Sequence, residues 1–140
     1  MGNSGMSARP TKVEFAQLLA FLPVFSSPDF GPVRQMHGGE IVDGAMQFPW
    51  PEYRPEVGRF IQAASKECWQ DQHYSSEDAA LMVAGPDRVE SATLEQIRSM
   101  LTYCVRGERF CDGHIGEMIS SGHLVYILER LWDIEAKMEF

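Results

Sequence analysis

Five polar residues crowd the nine positions from Arg106 to His114: Arg106, Glu108, Arg109, Asp112 and His114, with His123 nine residues further on. Two arginines beside the start of a helix can hold a phosphate or a carboxylate, because guanidinium forks and free backbone N–H groups both favour an anion. Asp112 competes for that place, since a capping carboxylate satisfies the same N–H groups. A structural reading accounts for the cluster equally well: Arg109 pairs with an acid, Asp112 caps, and His114 bonds locally. His114 with Asp112 or Glu108 would make an acid–base pair, an arrangement with little specificity on its own.

The three cysteines, Cys68, Cys104 and Cys111, add two further chemistries. Cys111 and His114 have a C-x-x-H spacing that His123 could approach across Gly122. A structural zinc site needs four ligands, usually in paired short spacings, and here one pair stands alone. No metal or other cofactor is therefore expected. Cys111 beside Arg109 could be an activated thiol with His114 as its base, but an inert thiol is the better expectation. An odd, low cysteine count and an N-terminus without a basic or apolar signal region point to reduced thiols and a cytoplasmic protein.

The net charge of −8 argues against nucleic-acid and membrane partners, which need clustered cations. The stretch Arg98–His114 is the exception. Its three arginines and two acids sum to +1. Local ion pairing explains that island, and so does a site for a small anion or a carboxylate-bearing partner. A helix-turn-helix reading of the same region fails for lack of Lys or Arg within Gly113–Ser121. No apolar run approaches the ~20 residues of a membrane span.

The elements that must position these residues read as helices. Thr11 and Glu14 form a capping box, followed by Phe15, Leu18, Leu19 and Leu22 on one face. Pro23 ends or kinks that helix. Residues 26–55 are punctuated by Pro and Gly; Glu40–Val42 and Ala45–Phe48 fit a short hairpin around Asp43-Gly44. The run FPWPEY reads as an extended aromatic lid over the core, with Trp50 and Tyr53 as candidate ligand contacts. Pro55 suits the first turn of a second helix running to about Trp69. Ser75 or Ser76 starts a helix stopped by Gly85-Pro86. Thr93 and Gln96 form another capping box, opening a long helix to about Arg106 with Gly107 as its C-cap. Asp112 caps a short helix that Gly122 breaks, and a last helix carries Leu124, Ile127, Leu128 and Leu131 before fraying from Asp133 onward.

The stretch Tyr103–Leu131, YCVRGERFCDGHIGEMISSGHLVYILERL, resembles the C-terminal signature of a family of small bacterial proteins known only as a domain of unknown function. The matching elements are Arg106–Phe110, Asp112–His114, Met118–His123 and Leu128–Leu131. Glu52–Val57 resembles the family's middle portion more loosely, with Arg54 where a capping Ser or Thr belongs. The resemblance implies a bacterial source and a mainly helical fold, and it implies no activity.

The expectation is a mainly α, single-domain fold of five to six helices over residues 11–135. It has an irregular insert around 26–55, a leader over 1–10 and a frayed tail over 136–140. The preferred function is a non-enzymatic module whose Arg106–His114 turn recognises a small anionic ligand or a protein partner. Two alternatives stand beside it. One is a hydrolase- or transferase-like enzyme using His114 with Asp112 or Glu108. The other is a purely structural or interaction protein. The discriminating observation is whether Arg106, Arg109 and His114 open onto a cleft or point into helix contacts.

Overall fold

A computed structural model describes residues 9–140. Among these, six helices of seven residues or more and two five-residue turns of helix surround one apolar core: α1 (Lys12–Leu19), α2 (Leu22–Ser26), α3 (Pro55–Ala64), α4 (Ser76–Ala84), α5 (Pro86–Glu90), α6 (Leu94–Gly107), α7 (His114–Ser120) and α8 (His123–Ala136). The mainly α expectation holds. The call of a leader falls largely on residues 1–8, outside the described residues, and Pro10 is buried.

The predicted helix starts follow local chemistry. Thr11 with Glu14 and Thr93 with Gln96 make reciprocal side-chain-to-backbone hydrogen bonds of 2.8–3.2 Å. Ser75 accepts from the Asp78 N–H at 3.2 Å. Each bond closes over three residues, so no distant partner is needed.

The helix ends depart from expectation. The second predicted helix stops at Ala64, and Glu67–Trp69 forms a separate 3₁₀ turn. That break lets Cys68 and Trp69 both turn into the core, where the Trp69 ring meets Phe15 edge-on at 5.2 Å. Pro86 does more than stop α4: it opens α5. The last helix continues to Ala136, beyond the predicted fraying point, and Phe140 then packs edge-on against Phe15 at 5.8 Å.

The insert forms an arm of two nested antiparallel strand pairs. β1 (Val33–His37) pairs antiparallel with β4 (Trp50–Tyr53), with a bulge between Val33 and Gln35. Between them β2 (Ile41–Val42) and β3 (Ala45–Met46) make the predicted hairpin. Asp43 and Gly44 both adopt positive φ, 52° and 79°, as a primed turn requires. The β1–β4 pairing was not anticipated. The aromatic run is no lid, since Phe48 is 87% exposed and Trp50 stacks on His37 at 4.3 Å within the arm.

The core sits between α6 and α8. Ile97, Met100, Leu101 and Cys104 from α6 meet Leu124, Ile127, Leu128 and Leu131 from α8, all fully buried. The last helix's apolar stripe, Leu124, Ile127, Leu128 and Leu131, is therefore packing, as expected. α7 lies across the same core through Ile115 and Ile119. The turn joining α6 to α7 carries the polar cluster.

Candidate functional site

The turn between α6 and α7 has two faces. The inward face is organised by Glu108, the residue that follows α6. Its carboxylate accepts the Gly113 N–H at 3.1 Å and the Ile115 N–H at 2.9 Å. Those are free donors at the start of α7, which an anion satisfies and which the helix dipole favours. The Tyr53 hydroxyl, arriving from β4, donates to both carboxylate oxygens at 2.9 Å. It also accepts the Gly116 N–H at 3.4 Å. One carboxylate thereby ties the arm, α6 and α7 together. Burial, then the hydrogen bond to Glu108 and that carboxylate's charge, push the Tyr53 phenol well above its ordinary value.

This arrangement corrects two expectations. Asp112 does not cap α7: it is exposed, and Gly113 occupies the N-cap with φ 95° and no capping side chain. Glu108 does the capping from across the turn. Gly107 is not a left-handed C-cap; it is the last helical residue of α6. Its missing side chain serves another purpose, because a Cβ there would collide with the His114 ring. Gly116 plays a similar part: its Cβ would lie 2.9 Å from the Tyr53 ring.

His114 belongs to the inward face. Its ring stands edge-on to Tyr103 at 4.8 Å, and its Nε2 is buried without a hydrogen-bond partner. It makes no hydrogen bond to Asp112, and Glu108 bonds instead to Tyr53 and the backbone. The acid–base pair is not assembled. His123 begins α8 with a buried, unpartnered Nδ1 and does not join the cluster. The C-x-x-H pair is split in the same way. Cys111 is exposed, Cys104 is buried in the core, and burial pushes the Cys104 thiol up to about 12. Among the described residues, no three His, Cys, Asp or Glu side chains gather as a metal would require.

The outward face carries the arginines. Arg106 and Arg109 line an open pocket of about 460 Å³ together with Val105, Ser65, Glu67, Gln70 and Gln72. Its opposite wall is the link between α3 and α4, which side chains of α6 pin in place. Thr102 accepts the Asp71 N–H at 2.9 Å, Ser99 donates to the Asp71 carboxylate at 2.7 Å, and Arg98 donates to the Gln70 carbonyl at 2.8 Å. Arg106 lies 5.7 Å from the centre of the Tyr74 ring, which helps orient it. Arg109 is exposed.

Local ion pairing does not explain the positive island. Among the described residues the side-chain ion pairs are Arg34–Glu52 at 3.2 Å and His37–Glu52 at 2.9 Å, both in the arm. Glu67 lines the arginine pocket without coming within 4 Å of either guanidinium. Of the eight residues singled out from sequence, the structure thus brings Arg106 and Arg109 to a pocket and Glu108, His114 and Tyr53 to a half-buried junction. Asp112, His123 and Trp50 go elsewhere. The wall formed by Ser65, Gln70 and Gln72 was missed, and nothing in the local pattern of those residues marks it.

The chain belongs to a family of unknown function, DUF6508, whose family model matches residues 10–137. No functionally curated protein and no solved structure matches it. No helix among the described residues is long and apolar enough to cross a membrane.

Proposed function

We propose that the chain is a binding module whose Arg106–Arg109 pocket takes a small anionic ligand, a phosphate or a carboxylate. The observation that carries this reading is that two arginines share one open pocket without an acid paired to either. Guanidinium groups left unpaired on a concave surface are suited to oxyanions, which they can hold by two parallel hydrogen bonds. Ser65, Gln70 and Gln72 supply neutral donors and acceptors around them. The anion is held beside α6 and the 3₁₀ turn, not at the start of α7, whose N–H groups Glu108 already occupies.

The test is thermal denaturation against a panel of phosphate, sulfate and small di- and tricarboxylates. At about a hundredfold excess over its Kd, a ligand stabilises by about 2.7 kcal/mol, a shift of several degrees in a chain of this size. Arg106→Ala and Arg109→Ala each remove the shift, and Arg109→Ala, at an exposed position, leaves the unliganded melting temperature nearly unchanged. A flat response across the panel overturns the reading.

A further inference from the structure

A second, larger groove of about 640 Å³ lies between α2, α5 and α8 and shares no residue with the arginine pocket. Its floor is apolar, from Leu22, Pro86 and Val89. Two aromatic rings stand in it half open to solvent: Tyr126 is 49% exposed and Trp132 56% exposed. Three carboxylates, Glu90, Glu129 and Asp133, complete the rim.

Among the described residues the carboxylates are unpaired. None has a Lys, Arg or His nitrogen within 4 Å, because the described ion pairs all involve Glu52. The one cation lining the groove, Arg130, has its Nε held by the Ala92 carbonyl at 2.9 Å. One arginine against three carboxylates leaves the lining at −2. Helical spacing makes this a continuous feature of α8, since Tyr126, Glu129, Arg130 and Asp133 follow at i, i+3, i+4 and i+7.

Open aromatic rings, an apolar floor and unpaired carboxylates select one kind of ligand. The rim carboxylates are exposed and hydrated, so an anion is repelled and a neutral apolar molecule gains nothing from their charge. A cation with an apolar body satisfies both, through cation–π contact with the rings and Coulomb attraction to the rim. The volume falls in the range of small-molecule sites. We propose that the α2–α5–α8 groove binds a small organic cation, an ammonium group carried on an aromatic or aliphatic stem.

The experiment titrates the isotope-labelled chain with 2-phenylethylammonium and benzyltrimethylammonium, with neutral 2-phenylethanol as the control, following backbone amide shifts by NMR. The expected result is saturable binding of the cations, with shifts centred on residues 86–90 and 126–133 and weakening as salt rises. Trp132→Leu, and separately Glu129→Gln with Asp133→Asn, weaken the affinity about tenfold. These side chains are exposed, so the variants keep the wild-type spectrum elsewhere. The proposal is overturned if neither cation saturates the groove at millimolar concentration. It is equally overturned if 2-phenylethanol binds as tightly, if the variants bind like wild type, or if a Lys-rich peptide binds where the free amines do not.

Discussion

The two faces of the Arg106–His114 turn are built from the same few residues and do opposite things. On the inward face the Glu108 carboxylate is fully engaged, while His114 packs without a hydrogen bond at Nε2. Glu108 accepts from Tyr53 and from two backbone N–H groups, and the chain narrows to glycine at 107 and 116 so that His114 and Tyr53 can fit. On the outward face Arg106 and Arg109 have no acid within 4 Å and look onto an open pocket. A buried, satisfied polar group contributes to stability and is expensive to orphan. An exposed, unpaired one contributes little to folding and remains available to a ligand. Adjacent residues can thus be divided between architecture and recognition.

The sharpest way to break this contrast is Glu108→Ala. It removes the acceptor of two helix N–H groups and of the Tyr53 hydroxyl together, and should cost about 3 kcal/mol in chemical denaturation. If that variant is as stable as wild type, the inward face is not a structural junction and the division fails.

An alkaline titration of stability probes the buried side next. Burial raises the Cys104 thiol from an ordinary value of 9.0 to about 12. A raised folded value means the unfolded chain loses its proton first. Stability from this group is intact below about pH 9 and declines by roughly 1.4 kcal/mol per pH unit up to about pH 12. The Tyr53 phenol, also raised, adds a loss in the same direction beginning above its ordinary value of 10.0. Burial also raises the Cys68 thiol to about 12, so Cys104→Ala should lessen, not abolish, the decline above pH 9 relative to wild type. An unchanged slope would mean the thiol titrates normally.

Tyr53→Phe sharpens the contrast by removing one hydroxyl and leaving the ring beside Gly116. Its expected cost is about 1 kcal/mol, and Tyr53→Phe combined with Glu108→Ala should cost no more than Glu108→Ala alone by a clear margin, since both act on one junction. Additive losses in that double-mutant cycle would separate the two residues. The smallest stability effect belongs to Arg109→Ala, within about 0.5 kcal/mol, as expected for an exposed side chain away from packing. A loss of several kcal/mol there would return Arg109 to the architecture.

Much of the fold was legible because it rests on short-range chemistry. The capping boxes at Thr11 and Thr93, the Ser75 cap, the Asp43-Gly44 turn and the apolar stripes of α1 and α8 each depend on residues within a few positions of one another. Helical periodicity therefore identified Phe15, Leu18, Leu124, Ile127, Leu128 and Leu131 as core directly. Chain breaks were less legible. Nothing local says that α3 ends at Ala64, because the ending is decided by where Trp69 finds Phe15.

The polar turn was recognised from sequence as the place of interest, and its residue types determined which chemistries were open to it. Which residue does what was decided only in three dimensions. Asp112 has the better local position to cap α7, yet Glu108 takes that place because its carboxylate is met by Tyr53, 55 residues earlier in the chain. Gly107 resembled a helix stop, and it is small because a histidine seven residues later needs the space. The arginines became a pocket only when the link after α3 was pinned against α6 by Ser99, Thr102 and Arg98. Sequence carries the bonds that close within a turn of helix, and the pairing of segments far apart in the chain assigned the rest.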